Sequence, residues 1–313
     1  MIKKRHFYIV IGILLVGLII GTFLDLQINE ALYSDRNPFG IAMAAFGTYP
    51  CYAGLAFCAG GLLVTSLKKK DLNIFWKLVS WFLTALGYGL AVWLGSKDVP
   101  SINGFNNEAL KIPFLIINVF VFGGVGALGF FVCKKGNADD LWIALMVMAA
   151  IFLLALLPTS FLIKLVIHRP RYRYLVRSGD INFRNWWESY GAYKTYLEGN
   201  PVIFGINITK EEFKSFPSGH SGSAAIMMMV LPYLSIFFKK LKGKETMLFY
   251  IGFAWTLLMM FSRMLVGAHY LTDTCMGALI ITVVYLIIHT FATSKGWVFR
   301  KEEAPQVEAE PAK

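Results

Sequence analysis

The sequence predicts an all-α fold: a polytopic transmembrane helical bundle of about eight spans, with a long extracytoplasmic loop that carries an interfacial amphipathic helix. Three observations predict it. Of 313 residues, 57% are hydrophobic and only 16% charged, whereas charged residues make up about a quarter of a soluble chain. The apolar residues come in runs of about twenty, the length that crosses hydrocarbon as a helix. Lys and Arg gather in alternate loops, the asymmetry left by threading a chain through a bilayer.

The first run, 7–25, follows Met1-Ile2-Lys3-Lys4-Arg5-His6 and so has the outline of a signal peptide. No small-x-small cleavage site follows, and more runs come later, so it is read as a retained helix. The second, 44–67, holds Gly47, Pro50, Gly54 and Gly60, residues able to break a helix. Runs at 75–95, 112–133, 141–165, 218–238, 246–266 and 273–293 complete the set. Lipid offers backbone groups no partners, so each run must pair its own as a helix. The sequence divides into N-terminal transmembrane helices (1–140), a core of helices that carries the motifs below (141–295) and a disordered cytoplasmic tail (296–313) rich in Glu and Pro.

With the N-terminus in the cytoplasm, the inner loops hold Lys3, Lys4 and Arg5; Lys68 to Lys70; Lys134 and Lys135; Lys239, Lys240, Lys242 and Lys244; and Lys295, Arg300 and Lys301. The short outer loops hold little beyond Arg36, Lys97 and Lys111. Both termini are then cytoplasmic, and a cell-membrane location is expected. The exception is 166–216, a long, Arg-rich outer segment, and long loops usually carry function. Within it Phe183, Trp186, Trp187, Tyr190, Tyr193 and Leu197 recur at helical spacing, with Gly199 as a stop. That aromatic face fits the headgroup region or the side of the bundle equally well. Asn207-Ile208-Thr209 is an N-glycosylation sequon on the outer side.

The net charge of +11 collects at loop ends and around the motifs below. It points to anionic headgroups and an anionic substrate rather than to nucleic acid. Cys51, Cys58, Cys133 and Cys275 are scattered through apolar runs and read as packing residues.

Three segments carry chemistry, and the threading brings all three to one membrane face. Ser262-Arg263, five residues, His269, three residues and Asp273 form the first. A spacing of four puts His269 and Asp273 on one helical face. A carboxylate on Nδ1–H fixes the tautomer and turns the Nε2 lone pair outward, which makes a nucleophile or base. In Pro217-Ser218-Gly219-His220, Ser218 is a helix N-cap and Gly219 admits a ligand close to the backbone. The helix start attracts anions. His220 in its first turn is placed to give a proton to a leaving oxygen. Lys164, Arg169 and Arg171 supply cations, Arg as a fork and Lys as a point charge.

These residues resemble the type 2 phosphatidic acid phosphatase superfamily, which includes the vanadium-dependent haloperoxidases. Its pattern is KxxxxxxRP, PSGH and SRxxxxxHxxxD. The second and third stand intact in the chain; in the first, Lys164 and Arg171 keep register but Tyr172 replaces the closing Pro, with Pro170 two residues earlier. The likeness covers 164–273. It implies that His269 attacks phosphorus, that Asp273 orients it, and that His220 protonates the leaving group and then activates water. It implies that Lys164, Arg171, Ser218, Gly219 and Arg263 hold phosphate oxygens, with Arg169 and Ser262 as weaker candidates. No Asp, Glu or Cys ligand set lies in these segments, so no metal and no cofactor is expected. The implied activity is a metal-independent hydrolase of lipid phosphates or lipid diphosphates, with membrane lipids as surroundings. A lipid phosphotransferase using another acceptor is the alternative. A transporter fits less well, because the ionisable residues lie near the surface rather than at the midplane. The family commonly has six core spans, and the two extra N-terminal ones have no assigned role.

Overall fold

The computed structural model describes residues 2–99, 108–157, 167–179, 183–188, 202–203, 206–207 and 210–299. Among them, eight helices are long and apolar enough to cross a membrane: Lys4–Leu32, Pro38–Lys68, Ile74–Asp98, Lys111–Lys134, Ala138–Ala155, Gly219–Phe237, Glu245–Leu265 and Leu271–Ser294. They coincide with the eight apolar runs and mark an integral membrane protein.

The helices are α1 (Lys4–Leu32), α2 (Pro38–Phe46), α3 (Tyr49–Lys68), α4 (Ile74–Asp98), α5 (Lys111–Lys134) and α6 (Ala138–Leu157). After them come the short α7 (Tyr172–Ser178), then α8 (Gly219–Ala225), α9 (Met227–Phe237), α10 (Glu245–Leu265) and α11 (Leu271–Ser294). The second span breaks at Gly47-Thr48, as its glycines and Pro50 suggest. Asn37 caps α2 by accepting from Gly40 N–H at 3.0 Å, with Pro38 in the first turn. Asn73 caps α4 in the same way through Trp76 N–H.

Helix α3 is the central element, packed against α4, α5 and α6 and buried on most of its faces. Helix α1 lies along α11; Phe7 of α1 meets Phe249 and Tyr285 at ring-centroid distances of 5.0 Å. Large apolar side chains such as Phe23, Phe82 and Phe120 point outward, as they do where the solvent is lipid. The 29 residues of α1 span about 44 Å, against a hydrocarbon core of about 30 Å. It is therefore longer than the hydrocarbon core is thick. The four cysteines are buried and unpaired by disulfides.

Some expectations need amendment. Residues 158–165 of the fifth run, with Lys164, lie outside the described residues. So do 189–201, on which most of the expected interfacial helix falls; its first residues, 183–188, are non-helical with a turn at 186–187. Asn207 sits in a two-residue antiparallel pairing of Val202–Ile203 with Ile206–Asn207, while Ile208 and Thr209 are outside the described set. Order continues past 296: Val298 is buried, and the Phe299 ring lies 5.1 Å from that of Tyr233. Residues 300–313 are outside the description.

Candidate active site

The end of α10 and the start of α11 enclose His269. The Arg263 carbonyl closes the turn by accepting from the N–H groups of Ala268 at 3.0 Å and His269 at 3.3 Å. Gly267 carries φ +59°, and a Cβ there would lie 2.8 Å from the Tyr33 ring and 2.9 Å from Arg173 N. Only glycine satisfies both the backbone angle and the space.

His269 is buried, and its Nδ1 lies 2.6 Å from the Ser215 carbonyl oxygen. A carbonyl can only accept, so Nδ1 carries a proton, and the neutral form of the ring has its lone pair on Nε2. This revises the expected pairing. Helix α11 begins at Leu271, so His269 precedes the helix and shares no helical face with Asp273. Asp273 Oδ2 is 3.7 Å from Nδ1, an ion-pair distance rather than a hydrogen bond.

Asp273 acts instead as a hub. Its Oδ2 accepts from Ser215 Oγ at 2.5 Å and from Tyr270 N–H at 2.9 Å. Its Oδ1 accepts from Arg169 Nη1 at 2.6 Å. The Arg169 guanidinium is fully buried and also donates to Thr272 Oγ1 at 2.8 Å, to Asp25 Oδ2 at 2.9 Å and to the Arg184 carbonyl at 2.9 Å. Its central carbon lies 4.0 Å from the Tyr270 ring centroid. Burial pulls its pKa down, but Asp273 and Asp25 more than offset this and hold it above the ordinary value. Arg169, a weaker phosphate-ligand candidate from sequence, is occupied with protein acceptors.

The Pro217 motif is fastened to the same turn. Ser218 N–H donates to the Asp273 carbonyl at 2.9 Å. A Cβ on Gly277 would stand 2.3 Å from the Ser218 carbonyl oxygen, so the absent side chain lets the two segments touch. Ser218 is the N-cap of α8, accepting from Ser221 N–H at 3.3 Å, as the sequence predicts. Gly219 opens α8, and His220 stands half-buried in its first turn.

Around these, Arg171 Nε is a buried N–H without a hydrogen-bond acceptor among the described residues. Burial, then the neighbouring Arg173, lower the Arg171 pKa to about 10, against the pull of Glu212 and Glu211; it is still a cation at neutral pH. Arg171 N–H is held by the Glu212 carbonyl at 2.8 Å. Glu212 is in turn gripped by Arg173 through two bonds of 2.9 and 2.7 Å. The buried Arg263 donates to the Gly40 carbonyl at 2.6 Å and to Ser262 Oγ at 3.3 Å. The Ser262 hydroxyl donates to the Met259 carbonyl at 2.7 Å, within its own helix.

Sequence reading missed Ser215, Asp25, Asn29 and the Arg173–Glu212 pair. Asp25 had a signal: a carboxylate at the end of an apolar run is costly there without a partner. Ser215 had none, because what it offers His269 is its backbone. Among the described residues, no group of three or more His, Cys, Asp or Glu is placed to hold a metal.

No curated protein and no solved structure shows significant similarity to the chain. The family model described as PAP2 superfamily matches residues 140–297, half of the chain. The matched stretch takes in all three motifs, and it indicates phosphatase-type hydrolytic activity. On that extent of match, the chain belongs to the PAP2 superfamily.

Proposed function

We propose that the protein is an integral membrane phosphatase that hydrolyses a lipid phosphate or lipid diphosphate monoester at the outer membrane face, through a phosphohistidine on His269 and without a metal. The observation that carries this reading is the 2.6 Å contact of His269 Nδ1 with the Ser215 carbonyl. It supports a proton on Nδ1, and with it Nε2 as the nucleophilic atom.

In the first half-reaction Nε2 attacks phosphorus in line, the bond to the lipid oxygen breaks, and His220 gives that oxygen a proton. In the second, His220 takes a proton from water, which attacks phosphorus; the P–N bond breaks and inorganic phosphate leaves. Arg171, whose buried Nε has no acceptor among the described residues, Arg263, Lys164 and the Ser218-Gly219 segment hold the equatorial oxygens. Phosphoryl transfer needs this positioning and charge more than covalent assistance. Asp273 holds Ser215 and Arg169, which set the nucleophile. Lys and Arg in the opposite loops support the outer placement. The long apolar helices and exposed Trp187 favour a lipid over a soluble ester.

Purified protein presented with phosphatidate, phosphatidylglycerol phosphate, undecaprenyl diphosphate and a lipid A phosphate, with no other acceptor, tests the reading. Free phosphate should appear from at least one, unchanged by a chelator, competitively inhibited by vanadate, and absent from His269→Ala. Release from none, with transfer to an added alcohol, would instead identify a phosphotransferase. Loss with chelator and rescue by Mg²⁺ would contradict the metal-free route. An accessible-lysine labelling experiment on intact cells checks the orientation.

A further inference from the structure

The matched family region begins at residue 140, yet the catalytic turn is tied to a helix far upstream of it. Asp25 of α1 is 3% exposed. Its Oδ1 accepts from Thr272 N–H at 3.0 Å, and its Oδ2 accepts from Thr272 Oγ1 and from Arg169 Nη2, the latter at 2.9 Å. One turn further along α1, Asn29 Nδ2 donates to the His269 carbonyl at 3.2 Å. Two side chains of one helix face thus grip both sides of Tyr270.

The chain of contacts runs from Asp25 to Arg169 and Thr272, from Arg169 to Asp273, from Asp273 to the Ser215 hydroxyl, and from the Ser215 carbonyl to His269. Arg169 lies between two carboxylates, 2.9 Å from Asp25 and 2.6 Å from Asp273. Without Asp25 the buried guanidinium has, among the described residues, only the Asp273 carboxylate in ion-pair contact, and it would draw that carboxylate away from Ser215. Hydrogen bonds behind a reactive imidazole fix its tautomer and direction in this way.

We propose that Asp25 is a positioning residue for His269, so that the first helix, outside the family-matched region, is part of the catalytic apparatus. The proposal rests on the phosphatase reading for its kinetic consequence, though not for its structural one.

The test is Asp25→Asn, which keeps the shape and one acceptor oxygen but removes the charge, with Thr272→Val as a second variant should the first fail to fold. On the lipid phosphate that the wild type hydrolyses, kcat should fall about 10- to 100-fold while KM stays within about twofold, because substrate contacts are untouched. A purely structural role would lower the yield or melting temperature and leave kcat of the folded fraction intact, which overturns the proposal. A second readout is independent of turnover: the rate at which diethyl pyrocarbonate modifies His269, resolved by peptide mass spectrometry with His6 as internal control. It should fall several-fold in Asp25→Asn relative to His6. An unchanged ratio overturns the positioning role even if the wild type hydrolyses no lipid phosphate, whereas a wild type without hydrolysis and a lowered ratio overturns only the phosphatase reading.

Discussion

His269 Nδ1 lies 2.6 Å from the Ser215 carbonyl and 3.7 Å from the Asp273 carboxylate. The main chain just before the Pro217 motif therefore sets the tautomer, and Asp273 acts one bond removed, through the Ser215 hydroxyl at 2.5 Å. Ser215→Ala keeps the carbonyl and deletes that hydroxyl. It should cost about 1–3 kcal/mol of stability and lower turnover by less than Asp273→Asn, which also disturbs Tyr270 and Arg169. Comparing kcat and KM of the two variants checks the order; a larger loss for Ser215→Ala would refute it.

His220 should matter in proportion to how badly the leaving oxygen needs a proton. His220→Ala should lose about 100- to 10,000-fold in kcat/KM, which reports the first half-reaction alone, with an alkyl or lipid phosphate. With p-nitrophenyl phosphate, whose phenolate leaves unaided, the loss should be much smaller. Equal losses on both substrates would remove His220 from the acid role.

The buried Arg173–Glu212 pair gives a pH dependence whose sign is fixed. Burial raises the Glu212 pKa, but the Arg173 charge and hydrogen bonds more than offset this, leaving it below its ordinary 4.5. The unfolded chain then binds the proton more readily, so the pair's contribution is full above 4.5 and is lost as pH falls through the lowered value. The melting temperature in detergent should hold from about pH 7 to 5 and fall below that. Arg173→Ala should destabilise by about 3–5 kcal/mol at neutral pH. It should also weaken the acid dependence, because Glu212 loses the largest of the charges that hold its pKa down.

Gly277→Ala inserts a Cβ 2.3 Å from the Ser218 carbonyl and must push the two motif segments apart. A displacement of about 1 Å costs about 100-fold in rate, with about 1–3 kcal/mol of overpacking. Gly12→Ala and Gly89→Ala, where nothing lies within 4 Å, should leave turnover at the wild-type level in the same assay.

The spans were legible because lipid imposes one solution on a run of twenty apolar residues, and the break in the second was legible in Gly47 and Pro50. Ser218 as a cap was legible because its neighbours make the same local hydrogen bond in any helix start. The expected His269–Asp273 bond was not, because the sequence shows a spacing of four but not that the helix begins at Leu271. Arg169 and Arg171 look alike in sequence. Only the fold shows that Arg169 meets Asp25, 144 residues away, while Arg171 keeps a buried donor without an acceptor among the described residues. Long-range partners of this kind leave no periodic trace, and a backbone acceptor such as the Ser215 carbonyl leaves none in any alphabet of side chains.

The bond from Ser218 N–H to the Asp273 carbonyl joins the two histidine-bearing segments through main chain alone. Mutation cannot delete it without moving the backbone, since it is indifferent to which side chains surround it. Side chains around the two segments can thus change while the spacing between the His220 and His269 segments is kept. Substitution at Gly277, by contrast, cannot be absorbed without moving that backbone.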